Sequence, residues 1–208
     1  MEDLIGRLKQ RLQSPLPGNV AHEKMLPKIP GGNKLRFKYS DEPRKGAVLI
    51  LLYETADEIY FPLIQRPQYE GVHSGQIALP GGRYEEADKD LFATAIRETQ
   101  EEVGADPNTI EVIGHLSEFM VSASNHLVLP VIGYTRTKPS FVPDPYEVDE
   151  VIEARLEEIM DESMIRETEI VTSGGYRLKS PYFDVQGKVV WGATAMMLSE
   201  FVQIIKEL

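Results

Sequence analysis

Residues 75–105 read GQIALPGGRYEEADKDLFATAIRETQEEVGA, a glycine-rich loop followed by a segment with helical signals. Asp90 stands where a helix favours a capping carboxylate, and Gly104 followed by Pro107 is typical of a helix end. The pattern therefore predicts a helix over residues 90–103.

The predicted helix has two different faces. At roughly 100° per residue, glutamates three and four positions apart share one face, whereas the apolar side chains lie about a third of a turn away. These glutamates are Glu98, Glu101 and Glu102. Like charges at this spacing repel each other unless a cation lies among them, and carboxylate oxygens suit Mg²⁺ or Mn²⁺. A solvated acidic helix face is the alternative interpretation, because E-x-x-E-E also arises by chance.

The loop before the helix favours the metal interpretation. Pro80, Gly81 and Gly82 permit a sharp turn and a close approach of the backbone, so that a carbonyl can face a metal or an N–H can face a phosphate. The helix N-terminus behind the loop also favours anions. The segment as a whole therefore predicts a site for phosphate and a divalent cation.

These residues resemble the Nudix box, written G-x5-E-x7-R-E-U-x-E-E-x-G-U. The matching positions are Gly81, Gly82, Arg97, Glu98, Glu101, Glu102 and Gly104. Two departures are visible. Thr99 stands where the pattern has an aliphatic residue, and the interval from Gly82 to Arg97 is one residue longer, so that Asp88 or Glu85 takes the place of the first acid.

The longer interval resembles the coenzyme A pyrophosphatase branch of the Nudix family, which residues 75–88 follow closely. Arg66, nine residues before Gly75, matches the upstream arginine of that branch, and WGATA at residues 191–195 matches its end. Where the branch carries a Leu-Arg pair, this chain has Glu70-Gly71. The resemblance covers roughly residues 46–206.

The resemblance implies an α/β protein with a Nudix-type α/β/α sandwich and a mixed β-sheet. It implies metal-dependent hydrolysis of a diphosphate linkage, with coenzyme A or acyl-coenzyme A as first choice, giving 3′,5′-ADP and (acyl-)4′-phosphopantetheine. ADP-ribose, a nucleotide sugar or a dinucleoside polyphosphate is the alternative substrate. A non-catalytic nucleotide-binding regulator is a further alternative.

The resemblance also assigns roles to residues. Glu98, Glu101 and Glu102 are expected to hold Mg²⁺ or Mn²⁺, and Arg97 to orient a carboxylate, near Glu101 and Asp90. Arg66, Gly81 and Gly82 are expected to contact the substrate. Residues 143–151 resemble an N-x-x-E-V-x-E-V segment that precedes a helix, which makes Glu147 or Glu150 the candidate general base. The alternative for this acidic run is a solvated face.

Composition limits the other possibilities. The 208 residues, 42% hydrophobic, fit one domain over residues 46–208, with a helix and irregular arm over residues 1–45 packed on it. A net charge of −11 argues against nucleic acid and anionic membranes as partners. The absence of cysteine excludes disulfides and thiol catalysis. We therefore expect a small diphosphate substrate and a cytoplasmic protein, with a homodimer left open.

Apolar periodicity predicts the remaining elements. We expect a buried strand over residues 47–53, strands over residues 59–64, 109–120, 127–135, 167–171 and 182–185, and a turn at residues 173–175. A short N-terminal helix and a C-terminal helix complete the prediction.

Overall fold

The central strand is β1, Arg44–Thr55, whose apolar run over residues 47–53 is almost entirely buried. A continuous apolar run covered on both sides is typical of a central strand in an α/β protein. The computed structural model describes residues 1–31, 39, 41–172 and 175–208.

The other strands are β2 (Glu58–Gln65), β3 (Ile77–Ala78), β4 (Gly81–Arg83), β5 (Glu111–His115), β6 (Phe119–Val121), β7 (His126–Tyr134), β8 (Glu150–Arg155), β9 (Ile165–Val171), β10 (Arg177–Val185) and β11 (Lys188–Trp191). The α-helices are α1 (Glu2–Arg11), α2 (Asn19–His22), α3 (Leu91–Val103), α4 (Leu156–Met160) and α5 (Gly192–Lys206). Single turns of 3₁₀ helix lie at Glu23–Met25, Pro107–Thr109 and Glu162–Met164.

The main sheet is mixed. Its strands follow the order β3-β2-β1-β7-β5, with β4 paired to β1, β6 to β7 and β8 to β2. The pair β1–β7 is parallel and the other pairs are antiparallel. A second, antiparallel sheet has the order β11-β10-β9.

Helices cover both faces of the main sheet. On one face, Ala47 and Leu49 of β1 pack with Ala95 and Val103 of α3. On the other face, alternate residues of β1 such as Ile50 pack in the larger core cluster, to which α1 and α5 also contribute. This arrangement confirms the predicted α/β/α sandwich with a mixed sheet.

The N-terminal segment packs against the rest of the chain. Ile5 and Leu8 of α1 are buried in the same core cluster as α5. Further along, Lys28 and Lys179 of β10 exchange two backbone hydrogen bonds of 2.8 Å. Within the irregular arm predicted in residues 1–45, residues 14–31 contain α2 and a 3₁₀ turn, and residues 32–38 and 40 lie outside the described residues.

Most predicted elements are present, with changed bounds. The helix expected over residues 90–103 is α3, with Asp90 as its cap and Gly104 in the left-handed conformation at its end. The single strand expected over residues 109–120 is wrong, since it is divided into β5 and β6. Two residues of the turn expected at 173–175 lie outside the described residues. Within the described ranges, no helix combines the length and the hydropathy needed to cross a bilayer.

Candidate functional site

The glycine pair that the sequence places in a loop forms strand β4. Gly81 and Gly82 pair with Val48 and Ala47 of β1. A Cβ atom on Gly81 would lie 2.3 Å from the Ala47 carbonyl oxygen, and one on Gly82 would lie 2.5 Å from the Glu98 carboxylate. Position 81 therefore requires glycine, because a side chain would push β4 away from β1, whereas a side chain at position 82 would displace the Glu98 carboxylate.

Glu102 is a buried carboxylate with few partners. Its residue is 2% exposed, and its Oε2 accepts a hydrogen bond of 2.7 Å from the Gly81 amide. The nearest cation is Arg66, whose Nη2 lies 3.7 Å from Oε1 and also donates to the Gly81 carbonyl at 3.4 Å. Burial raises the pKa of Glu102 to about 7, although Arg66 and the Gly81 amide oppose the shift.

Glu98 lies one turn before Glu102 and against Gly82. Its Oε1 is 3.1 Å from Nη1 of Arg97, and its side chain is 14% exposed. Burial raises the pKa of Glu98, and the positive charge of Arg97 only partly offsets this effect. Burial therefore destabilises the charged forms of both Glu98 and Glu102, which lie beside β4.

Arg97 fastens α3 to the segment that follows β4. Its Nε and Nη2 donate to the two carboxylate oxygens of Asp88 at 2.9 and 3.0 Å, and Nη2 also donates to the Arg83 carbonyl at 3.0 Å. We expected Asp90 beside Arg97, which is wrong because Asp90 instead caps α3 by accepting from the Ala93 amide at 2.9 Å.

Asp88 lies in the Gly82-to-Arg97 interval, which is one residue longer than in the Nudix box, and its carboxylate contacts α3. It is buried and also accepts hydrogen bonds from the Glu85 amide at 3.0 Å and the Thr94 hydroxyl at 2.9 Å. The Arg97 guanidinium and these donors hold the pKa of the Asp88 carboxyl far below its usual range. Of the two acids named from the sequence, the geometry thus brings Asp88 to Arg97 and leaves Glu85 exposed.

Glu101 is the most exposed of the three glutamates. Its side chain is 55% exposed and pairs with Nη1 of Arg97 at 2.8 Å. Across the described ranges, no three acidic, histidine or cysteine side chains form a ready-made metal cluster. Glu98 and Glu101 share Nη1 of Arg97, whereas Glu102 contacts the Gly81 amide and Arg66.

The segment after β7 carries a further carboxylate, Glu147, that lies near Glu98 and Glu102. The Asp144 amide donates to the Glu102 carbonyl at 2.9 Å, which ties residues 142–149 to the end of α3. The charge of Glu147 adds to the raised pKa of Glu98 and of Glu102. The structure gives the Glu147 side chain no hydrogen bond or ion pair with any described residue.

Glu150, the other candidate on this segment, is engaged elsewhere. Its carboxylate lies 2.5 Å from Nζ of Lys188, and its backbone pairs with Gln65 in the β2–β8 ladder. The segment continues into β8, and the helix that the resemblance places after it is α4. Geometry therefore separates Glu147, which faces the buried carboxylates, from Glu150, which does not.

Thr99 occupies the position of α3 at which the Nudix box has an aliphatic residue. The side chain is fully buried, and its hydroxyl donates to the Ala95 carbonyl at 2.7 Å. A buried hydroxyl bonded to the carbonyl one turn earlier carries no unsatisfied donor. The helix packs at this position as it would with an aliphatic residue.

The donor set fits a divalent cation. Glu98, Glu102 and Glu147 place an excess of negative charge around Gly81 and Gly82, and Arg66 is the cation that faces Glu102. The raised pKa values of Glu98 and Glu102 mean that their charged forms lack compensation, which a cation would supply.

Comparison with protein families assigns residues 43–171 to the NUDIX domain. The chain belongs to the NUDIX domain family. It is 38% identical over 181 residues to "Nudix hydrolase 15, mitochondrial" from Arabidopsis thaliana, covering 83% of this chain and 61% of the relative. It is 36% identical over 172 residues to "Nudix hydrolase 22, chloroplastic" from the same plant, covering 78% of this chain and 56% of the relative. The matches thus cover about three fifths of the length of these two relatives.

A solved Nudix structure agrees in fold. The crystal structure of a MutT/nudix family protein from Enterococcus faecalis superposes with a TM-score of 0.52 at 18% identity, covering 93% of this chain and 71% of that chain. At this identity the likeness concerns the arrangement of helices and strands.

The two plant relatives correct one prediction from the sequence. We expected a cytoplasmic protein, and this expectation is wrong by comparison with relatives that are named as mitochondrial and chloroplastic. The absence of cysteine excludes disulfides but selects no compartment, so it could not support the cytoplasmic assignment.

Proposed function

We propose that this Nudix protein is a pyrophosphohydrolase for nucleoside diphosphate derivatives, with coenzyme A or acyl-coenzyme A as the preferred substrate. The observation that supports hydrolysis most strongly is the contact of β4 with α3, where Gly81 and Gly82 lie directly against Glu102 and Glu98. A backbone without side chains beside two buried carboxylates offers both space and ligands for a metal-bound diphosphate.

Glu98 and Glu102 would hold Mg²⁺ or Mn²⁺, and Glu101 is the third ligand in this proposal. When bound, the cation neutralises phosphate charge and lowers the pKa of the attacking water. Glu102 keeps its contact with Gly81 through one oxygen, which leaves the other oxygen beside Arg66.

Glu147 is the general base in this proposal. It faces Glu98 and Glu102 and has no partner among the described residues, so its carboxylate is free to accept a proton. The water oxygen bonds to phosphorus while the bond from that phosphorus to the bridging oxygen breaks. The water proton passes to Glu147, and each of the two products keeps one phosphate of the cleaved diphosphate.

The arginines have separate roles. Arg66 donates to the Gly81 carbonyl and is 30% exposed, so it can contact a substrate phosphate from the end of β2. Arg97 is a positioning residue, because it binds Asp88, Glu98 and Glu101 and thereby fixes α3 against the segment after β4.

The choice of coenzyme A rests on the resemblance of residues 75–88, Arg66 and residues 191–195 to the coenzyme A branch. One feature opposes it, since Glu70 and Gly71 replace the Leu-Arg pair and remove an expected cation. If the 3′-phosphate is read, dephospho-coenzyme A should be the poorer substrate by about tenfold or more in kcat/KM, because a charge-assisted contact is lost.

A panel of diphosphates with Mg²⁺ or Mn²⁺ tests this proposal. The panel contains coenzyme A, acetyl-coenzyme A, ADP-ribose, a nucleotide sugar and a dinucleoside polyphosphate, and the products are separated and identified by mass. We expect 3′,5′-ADP and 4′-phosphopantetheine from coenzyme A at the highest kcat/KM. A higher kcat/KM for another diphosphate would contradict the choice of coenzyme A as substrate. If none of the compounds were cleaved, the assignment of hydrolase activity would be contradicted.

A further inference from the structure

Two arginines stand out because they lack acidic partners. Every other arginine that the structure describes has a carboxylate oxygen within 4.0 Å. The exceptions in the described ranges are Arg44 and Arg83, both exposed. In a chain with a net charge of −11, cations easily find carboxylates, so two unpaired arginines close together require an explanation.

The strand register places both arginines on one face of the sheet. Arg44 of β1 is paired with His126 of β7, and Gly46 of β1 is paired with Arg83 of β4. Residues paired across strands share a face, and so do residues two apart along one strand. Arg44, Arg83 and His126 therefore project to the same side, opposite the side on which Ala47 meets α3.

The electrostatics of His126 agree with this placement. Burial lowers the pKa of His126, and the positive charges of Arg44, Arg83 and His73 lower it further. Arg44 of β1 and Arg83 of β4 thus bring two positive charges to His126 of β7. We call Arg44 and Arg83, together with the uncharged His126 beside them, the cationic cluster.

The cationic cluster lies near the candidate active site along β4, although its side chains project to the face of the sheet opposite α3. Arg83 is two residues after Gly81 on β4, which corresponds to about 7 Å along an extended strand. From the other side, Nδ1 of His73 is 3.0 Å from the Gln76 side chain, and the Gln76 carbonyl accepts from the Arg66 amide at 3.0 Å. An anion held by the cluster can therefore belong to the same molecule as a diphosphate at Gly81.

We propose that the cationic cluster binds a phosphomonoester group that the substrate carries in addition to its diphosphate. This inference rests on the proposed function, under which the group is the 3′-phosphate of coenzyme A. The two guanidinium groups are free to form paired hydrogen bonds with phosphate oxygens. Arg44 and Arg83 would thus replace the positive charge of the Leu-Arg pair, which in this chain is Glu70-Gly71.

Binding of two small nucleotides tests the cluster without requiring turnover. We would measure the Kd of 3′,5′-ADP and of 5′-AMP by isothermal titration calorimetry for the wild type, Arg44→Gln, Arg83→Gln and the double variant. His126→Gln is a further variant in case an arginine substitution disturbs the strand ends. Lys45→Gln is the matched control, because Lys45 is exposed and adjacent to Arg44 but lies on the opposite face of β1.

The wild type should bind 3′,5′-ADP at least tenfold more tightly than 5′-AMP. This preference should fall to about threefold or less in the double variant and should persist in Lys45→Gln. Equal binding of the two nucleotides by the wild type, or a preference that survives in the double variant, would overturn the proposal.

The result separates this inference from the proposed function. If coenzyme A is not cleaved but the arginine-dependent preference exists, the cluster stands and the choice of substrate fails. If coenzyme A is cleaved and both arginine variants bind 3′,5′-ADP as the wild type does, the substrate stands and the cluster fails.

Discussion

Two glutamates of this protein are buried to nearly the same degree, Glu102 at 2% and Glu200 at 0% exposure, yet their pKa values shift in opposite directions. Burial raises the pKa of Glu102 to about 7. Burial also acts to raise the pKa of Glu200, but hydrogen bonds from His22, Ser117 and Gly18 outweigh it and lower the pKa overall. The difference therefore comes from the partners and not from the depth of burial.

The partners differ in number and distance. Glu200 of α5 accepts from the Gly18 amide at 2.8 Å, from the Ser117 hydroxyl at 2.7 Å and amide at 3.2 Å, and it lies 3.0 Å from Nε2 of His22. Glu102 has one amide and an arginine at 3.7 Å. A fully bonded carboxylate joins the N-terminal segment to α5, whereas an underbonded one retains the capacity to take a ligand.

Glu102→Gln should separate activity from stability most strongly. We expect diphosphate hydrolysis to fall by at least about a thousandfold, because the substitution removes a metal-neutralising charge at nearly constant volume. The melting temperature should be unchanged or higher, since the amide oxygen can still accept from Gly81 and a costly buried charge is gone. Steady-state kinetics and thermal unfolding measure the two effects. Near wild-type activity in a folded variant would contradict the assignment of Glu102.

Glu200→Ala should give the opposite result. The donors of His22, Ser117 and Gly18 would lose their acceptor, so we expect a loss of about 3 kcal/mol or more in unfolding free energy, measured by urea denaturation. Specific activity of the folded fraction should remain. Glu207→Ala is the control, because its exposed pair with Arg11 should contribute under about 1 kcal/mol. Equal losses of unfolding free energy in the two variants would show that the Glu200 hydrogen bonds stabilise the fold no more than the exposed Glu207 pair does.

The pH dependence of stability should also differ in sign. The folded pKa of Glu102 lies above its ordinary value of 4.5, so its charge costs stability as pH rises. With a chelator present, we expect Glu102→Gln to gain up to about 3 kcal/mol relative to the wild type between pH 4.5 and 8. The lowered pKa of Glu200 gives stability that is present above the ordinary value and is lost as pH falls through the folded pKa. Urea curves between pH 4.5 and 8 would measure the Glu102 trend, and urea curves below pH 4.5 would measure the Glu200 trend. A wild-type-to-variant difference that does not change with pH would contradict them.

The sequence predicted most helices and strands because their signals are local, whereas the resemblance to the Nudix family supplied the α/β/α layers. The run over residues 47–53, the cap at Asp90 and the spacing of apolar residues each depend on neighbours along the chain. β4 was missed, because a strand made of Gly81, Gly82 and Arg83 has no apolar alternation and exists only by pairing with β1.

The structure brings together several residues that the sequence named for the site, but the sequence did not predict their partners. Glu98, Glu102, Arg66 and the glycines come together as the resemblance to the Nudix box suggested. The pairing of Arg97 with Asp88 could not be read from helical spacing, because Asp88 lies before the helix begins. Equally, the cationic cluster depends on strand register across β4, β1 and β7, which single-strand patterns do not contain.

Soaking crystals in Mn²⁺ and measuring anomalous density tests the central claim most directly. The claim is that the underbonded carboxylates Glu98 and Glu102 beside Gly81 and Gly82 form a divalent metal site. We expect anomalous density on this face, with a carbonyl near Gly81 or Gly82 assisting, and its loss in Glu102→Gln crystals. Density at other places with none on this face would contradict the account.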